Sequence, residues 1–394
     1  MKLVGIDVGK NSHHFCVMDK ETGEFNVAPS SFSNNKEGFD FLINSLKPYS
    51  KKSILLGMED TGHYHVALLK FLLSNGYTVA LINPKTTDLT RKMEGGITKN
   101  DKLDTITICD VLDTPERKKQ YRITKVDRFD LYEQRQLTRH HHNLKEELNV
   151  YCNRLQKSID LVFPEFNTLF SSKYSIVYMN LLKTFGSAEA IASTDIRTIR
   201  KCFEIKGRGN RISLTLEKLK ECAKNSIGIS SEVETIQIKH LVSQITLIKE
   251  QIAEIDKKIE EFSITNNSPI LSIPGISHFS GTSILAELGD IGNYSKPSQI
   301  IKFAGVAPYH YESSQYNAQH TGITKKGSKY LRKTLYQIIL TVINNNPVFK
   351  KYYLLKISQG KGHRCAQGHC IRKLLRIIYH LLETGQSFDP ALLR

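Results

Sequence analysis

The chain reads as an α/β segment followed by two largely helical ones, an α/β plus α protein. Three observations predict this. Short apolar runs alternate with helix-spaced runs near the N-terminus. A sustained three-four isoleucine step marks a long helix in the middle. The final segment opens on a Pro-Gly turn and continues with a helical run. The expected domains are 1–125, 126–265 and 266–394, and 394 residues suffice for two or three domains with real cores.

The first domain begins with two strand patterns, Met1–Val8 and His13–Asp19, joined by a tight turn at Gly9-Lys10-Asn11. Phe25–Ser33 supplies a third strand, Lys36–Leu46 has helical spacing, and Ile54–Glu59 is a strand. His65–Asn75 reads as a helix and Tyr77–Ile82 as a further strand, closed by Asn83-Pro84. An opening β-hairpin followed by mixed β/α elements suits an RNase H-like mixed sheet better than a doubly wound one.

In the middle domain, residues 128–163 predict one long helix with Leu137, Leu144, Leu148, Tyr151, Leu155 and Val162 at heptad-compatible spacing. Ile238, Leu241, Ile245, Ile248, Ile252, Ile255 and Ile259 then step by three and four, a coiled-coil seam within or between chains. Between them, residues 164–229 form a smaller helical insert containing the basic stretch Lys206-Gly207-Arg208-Gly209-Asn210-Arg211. The last domain opens with Ile273-Pro274-Gly275-Ile276 and the run Thr282–Leu288, a helix-hairpin-helix-like element whose turn offers backbone N–H groups to a phosphate.

Composition narrows the partners. The chain carries 55 Lys+Arg against 39 Asp+Glu, a formal +16, which favours a polyanion, nucleic acid above all. No apolar run approaches the roughly 20 residues of a membrane span, and no basic amphipathic anchor stands out. The start runs directly into a strand pattern without a signal peptide, and seven scattered Cys fit a reducing cytosol better than a disulfide framework. The expectation is a cytoplasmic protein.

Four carboxylates then point to a metal site. Asp7 and Glu59 each end a short apolar run, where a buried strand delivers a side chain to the sheet's edge. Asp101 and Asp104 lie three apart, on one face of a helix. Clustered carboxylates are what a hard divalent cation such as Mg²⁺ requires, its remaining positions held by waters and substrate phosphates. A second constellation runs from Pro308-Tyr309-His310-Tyr311-Glu312-Ser313-Ser314-Gln315 to Lys325-Lys326-Gly327-Ser328-Lys329-Tyr330-Leu331-Arg332-Lys333. Serine attacks phosphorus when its proton is removed and cations stabilise the developing charge. On composition alone, paired serines in a polar loop are an ordinary loop.

The two constellations together resemble the transposases of the IS110 class of insertion sequences, a family that includes the Piv-type DNA invertases. In the N-terminal half the resemblance rests on Gly5-Ile6-Asp7-Val8-Gly9-Lys10, the strand ending at Glu59, Asn83-Pro84, and Lys99-x-Asp101-x-x-Asp104. In the C-terminal half it rests on Ile273-Pro274-Gly275-Ile276, Leu285-Ala286-Glu287-Leu288-Gly289-Asp290, Phe303-Ala304-Gly305-Val306-Ala307-Pro308, and Lys325 to Arg332. It implies a RuvC-like DEDD domain holding Mg²⁺ on Asp7, Glu59, Asp101 and Asp104, and a C-terminal transposase domain with a serine nucleophile. The family carries Ser-Gly where this chain has Ser313-Ser314. The register kept by Asn317-Ala318 and Lys325-Lys326-Gly327 assigns the role to Ser313, with Ser314 as the alternative.

The resemblance further implies donor and target DNA as substrates, a structured non-coding (bridge) guide RNA, a covalent phosphoserine intermediate, and a dimer or dimer of dimers. Two other functions use part of the same pattern. A RuvC-like Holliday-junction resolvase would need the carboxylates but activate water instead of serine, and in a non-catalytic nucleic-acid scaffold the acidic cluster would be structural. His363, Cys365, His369 and Cys370 match no standard zinc-finger spacing. The triplet His140-His141-His142 reads as a solvated or nucleic-acid-facing part of its helix.

Overall fold

The structure is a computed structural model that describes residues 1–60, 62–93, 100–113, 124–126, 128–204, 214–309, 312–313, 316–317 and 322–392. The N-terminal elements are β1 (Lys2–Val8), β2 (Ser12–Asp19), β3 (Phe25–Ser33), α1 (Lys36–Leu46), β4 (Ile54–Glu59), α2 (Val66–Ser74), β5 (Val79–Ile82), α3 (Pro84–Met93), α4 (Asp101–Asp113) and β6 (Thr124–Val126). They build a mixed six-stranded sheet in the order β3-β2-β1-β4-β5-β6. The β1–β2 and β2–β3 pairs are antiparallel, β1–β4 and β4–β5 are parallel, and β6 returns antiparallel to β5. The expected opening hairpin and mixed sheet are therefore present, with the two parallel pairs at the centre.

Strand alternation divides the side chains between two layers. Val4, Ile6, Phe15, Leu56 and Met58 pack with Leu42 and Leu46 of α1 and Leu68 and Leu72 of α2. Leu3, Cys16, Ala80 and Ile82, on the other face, pack with Ile108, Cys109, Val111 and Leu112 of α4. The sheet is thus covered by helices on both faces.

Two very long helices follow, α5 (Phe129–Val162) and, after the insert helices α6 (Ile176–Thr184), α7 (Ala188–Ser193), α8 (Ile196–Lys201) and α9 (Leu216–Lys224), α10 (Glu232–Asn266). All seven positions of the predicted isoleucine seam are buried. Ile238, Leu241 and Ile245 share a core with Leu155, Ile159 and Val162, while His141 Nε2 stands 3.1 Å from Asp256 Oδ1. These pairings run the helices antiparallel within one chain, so intrachain partners already cover this part of the seam. Ser175, Ser187, Asp195 and Thr215 cap the insert helices in turn, each accepting a backbone N–H that the first turn leaves open. The basic stretch Lys206–Arg211 lies outside the described residues.

The C-terminal part comprises α11 (His278–Leu288), α12 (Pro297–Phe303), the short pair β7 (Glu312–Ser313) and β8 (Tyr316–Asn317), α13 (Lys329–Asn345), α14 (Pro347–Ser358) and α15 (His363–Thr384). Its core joins Ile273, Ile284 and Leu288 to Leu335, Ile339, Phe349, Leu374 and Ile378. The predicted Pro-Gly turn precedes α11, which a Ser277–Ser280 capping box starts. Gly275 has φ 101°, and a β-carbon there would lie 2.8 Å from the backbone nitrogen of Val342 on α13. The chain forms two compact units, Met1–Gln136 with Ser263–Arg394, and Leu137–Phe262. Among the described residues no helix is long and apolar enough to cross a membrane.

Candidate metal centre and serine hairpin

Two glycines set the first part of the site. Gly5 and Gly57 are register partners on the central parallel strands β1 and β4, and both face α4. A β-carbon at Gly5 would lie 1.9 Å from the Thr105 carbonyl oxygen, and one at Gly57 2.8 Å from Leu112 Cδ1. Without side chains at these positions, α4 rests directly on the sheet backbone. Two residues further along each strand, alternation returns to the same face and reaches Asp7 and Glu59. The first turn of α4, carrying Asp101 and Asp104, begins at that end of the strands.

The four acids have different surroundings. Asp7 and Asp101 come together with a residue that the sequence pattern does not single out, His14 of β2. One ligand atom from each of the three lies within 4.8 Å of the others. His14 is the register partner of Asp7 across the β1–β2 hairpin, and its Nδ1 is 3.7 Å from Asp101 Oδ2. Glu59 and Asp104 are instead engaged by α3: Thr87 donates its hydroxyl to Glu59, and Arg91 Nη2 donates to Asp104 Oδ1 at 2.7 Å. Thr87 and Arg91 are four residues apart on α3, hence on one face, and a single helix holds both carboxylates. Asp104 is buried, Asp7 and Glu59 half-buried, and Asp101 exposed, which leaves the group open on one side. The donor set is hard and oxygen-rich with one imidazole, and it suits a divalent cation that keeps several positions for water or substrate.

The second candidate element is the serine hairpin. Ser313 pairs with Tyr316 at the end of β7, and Glu312 pairs with Asn317. Ser314, the alternative nucleophile, lies outside the described residues. The base of the hairpin is a backbone ladder: Tyr309 donates to Gly322 O at 2.8 Å, Thr324 to Ala307 O at 2.9 Å, and Lys325 to Gly305 O at 3.0 Å. Beneath it, Ser328 caps α13 by accepting from the Leu331 N–H and donates its own hydroxyl to buried Glu287 Oε2 at 2.6 Å. Arg332 Nη1 reaches the carbonyls of Ala304 at 3.3 Å and Lys325 at 3.2 Å. The motifs around Glu287, Gly305 and Lys325 to Arg332 thus converge on one structure, the footing of the loop that carries Ser313.

The histidine triplet on α5 differs from its expected setting. His141 and His142 are buried and His140 alone is exposed, because the helix turns this stretch inward and His141 meets Asp256 of α10. On α15, Cys370 is in the core, and His363 bonds to the Tyr353 hydroxyl at 2.6 Å and to Gln367 at 2.9 Å.

Comparison with known proteins covers both candidate elements. Residues 4–164 match the DEDD transposase family model of IS110, described as a transposase. Residues 267–354 match the model described as the transposase IS116/IS110/IS902 family. The pilin gene-inverting protein of Moraxella lacunata is 23% identical over 389 residues, covering 98% of this chain and 97% of that protein. A 42 kDa protein of insertion element IS900 from Mycobacterium paratuberculosis is 26% identical over 175 residues, 43% of each chain. The transposase of insertion sequence element IS1111A from Coxiella burnetii is 22% identical over 171 residues, 42% of this chain and 46% of that one.

Proposed function

Because the chain belongs to the IS110 class of insertion-sequence transposases, enzymes of DNA recombination, we propose that it cuts and rejoins donor and target DNA at a composite metal and serine site. The observation that supports this reading is the meeting of Asp7 and Asp101 with His14 within 4.8 Å at the start of α4, while Thr87 and Arg91 of α3 engage Glu59 and Asp104. Asp7, Glu59, Asp101 and Asp104 would hold Mg²⁺. The bound ion would supply charge neutralisation and polarisation at a phosphate oxygen.

Ser313 is the nucleophile in this reading. Its hydroxyl oxygen forms a bond to phosphorus and gives up its proton, one P–O bond of the DNA strand breaks, and the departing oxygen is protonated. The phosphoserine ester conserves the bond energy, so that attack by another strand end rejoins DNA and frees the serine. The basic surplus of the chain holds the phosphate backbones of DNA and of a structured guide RNA, whose base pairing supplies sequence choice. Four strands are exchanged between two duplexes, so a dimer of dimers would provide one active site per strand. The protein works among nucleic acids in a prokaryotic cytoplasm.

The test is the covalent adduct. Wild-type protein trapped during cleavage should carry DNA on Ser313. Ser313→Ala should lose both adduct and recombination yet keep nucleic-acid binding. Asp7→Asn and Asp101→Asn should do the same, and EDTA should stop the reaction. Cleavage without any protein–DNA adduct would return the assignment to a water-using resolvase, and an adduct mapped to Ser314 would move the nucleophile by one residue.

A further inference from the structure

We propose that the His14 imidazole is itself a ligand of the divalent metal, so that the centre is a mixed nitrogen–oxygen site and not a purely carboxylate one. The inference rests on the metal-site reading above and deepens it. Its first support is topological. Asp7 and His14 are direct register partners on antiparallel strands, which places their side chains side by side on one face of the sheet. That face is the one on which α4 lies, held close by Gly5, and α4 brings Asp101 to the same point.

The second support is the spacing. At 3.7 Å, His14 Nδ1 and Asp101 Oδ2 are too far apart to hydrogen bond. Donors that share one cation at about 2.1 Å stand roughly 3 Å apart when adjacent and about 4 Å apart when opposite. The observed separation falls between these limits, and the third donor, Asp7, lies within the same 4.8 Å set.

An imidazole changes which ion the centre prefers. Oxygen-only sites suit Mg²⁺ and Ca²⁺, whereas a nitrogen donor raises affinity along the first-row transition series. The site should therefore bind Mn²⁺ and Co²⁺ more tightly than Mg²⁺. His14→Asp should narrow that gap, because it restores a hard oxygen donor.

The experiment uses the full chain with Mn²⁺ alone as probe, without DNA or turnover. Pulsed electron paramagnetic resonance of the Mn²⁺-loaded protein should show ¹⁴N modulation from a coordinated imidazole. His14→Asp should retain Mn²⁺ and lose the nitrogen signal, and His14→Asn should lose the signal and weaken Mn²⁺ binding about tenfold or more. If wild type binds Mn²⁺ in a manner that Asp7→Asn weakens, yet shows no nitrogen coupling, the imidazole ligand is wrong and the carboxylate site stands. Coupling that persists in His14→Asp overturns the assignment to this residue. Wild-type protein that binds no Mn²⁺ removes the metal-site reading and this inference together.

Discussion

Arg91 donates to Asp104 at 2.7 Å, so a guanidinium is seated on one of the four acids expected to hold a metal ion. Both side chains are largely covered, Arg91 at 18% and Asp104 at 8% exposure. Breaking such a pair by removing one partner leaves an uncompensated buried charge and costs about 3–5 kcal/mol. Arg91→Gln should therefore lower the thermal midpoint. Added Mn²⁺ or Mg²⁺ should raise the midpoint of the variant more than that of wild type, because an ion can take over the charge of Asp104. Equal metal-induced shifts in both proteins would show that Asp104 does not sense the ion.

The glycine pair predicts a steric variant. Gly5→Ala drives a methyl group into the Thr105 carbonyl, so α4 must move off β1. Overpacking of this kind costs on the order of 1–3 kcal/mol or more. The variant should lose stability and, at temperatures where it remains folded, lose metal affinity as well, since Asp101 and Asp104 travel with α4. Calorimetric titration with Mn²⁺ on folded protein separates the two effects, and wild-type affinity would break the link between this contact and the site.

The isoleucine seam predicts damage within the chain. Ile245 and Ile252 are buried, and Ile245 packs with Leu155 and Ile159 of the same chain. Ile245→Asp with Ile252→Asp would bury unpaired charge at a cost of several kcal/mol. Circular dichroism should show loss of helix at a lower denaturant concentration, with no dependence on protein concentration. A midpoint that rises with concentration would instead mean that partner chains share the seam.

Guide RNA has its own readout. Protein purified from cells carrying the complete mobile element should bring down a defined RNA, and binding should weaken steeply as salt rises. Recombination of naked donor and target DNA by RNA-free protein is the outcome that refutes guidance.

The legible parts of this chain were those fixed by local pattern. Asp7 and Glu59 stand out because each closes an apolar run, and Asp101 and Asp104 because a three-residue step shares a helix face. His14 does not stand out. A histidine in an alternating strand resembles any half-exposed residue, and only the hairpin register sets it across from Asp7. Thr87 and Arg91 lie on a polar helix with a single buried residue, so no apolar stripe marks the face that holds Glu59 and Asp104. The triplet His140-His141-His142 shows no carboxylate companion in the local pattern, yet tertiary packing turns His141 and His142 inward and sets His141 against Asp256. In each case the missing information is which residues meet across elements, which a one-dimensional pattern does not contain.

The division of the chain has a consequence for how it is made. The unit that holds both the acids and the serine hairpin is discontinuous, leaving off at Gln136 and resuming at Ser263. Asn266 Nδ2 donates to Gln134 Oε1 at 2.9 Å, so the two severed ends are fastened side by side. On the ribosome, the N-terminal sheet emerges long before its C-terminal complement, and Leu137–Phe262 is free to fold during the wait. The middle unit is in effect a cassette. Closing even a long excursion adds only about 0.6 kcal/mol for each doubling of its length, so a chain with such an insert is not penalised much for carrying it. Excising residues 137–262 and rejoining the ends with a short flexible linker should leave a smaller protein that still assembles its sheet.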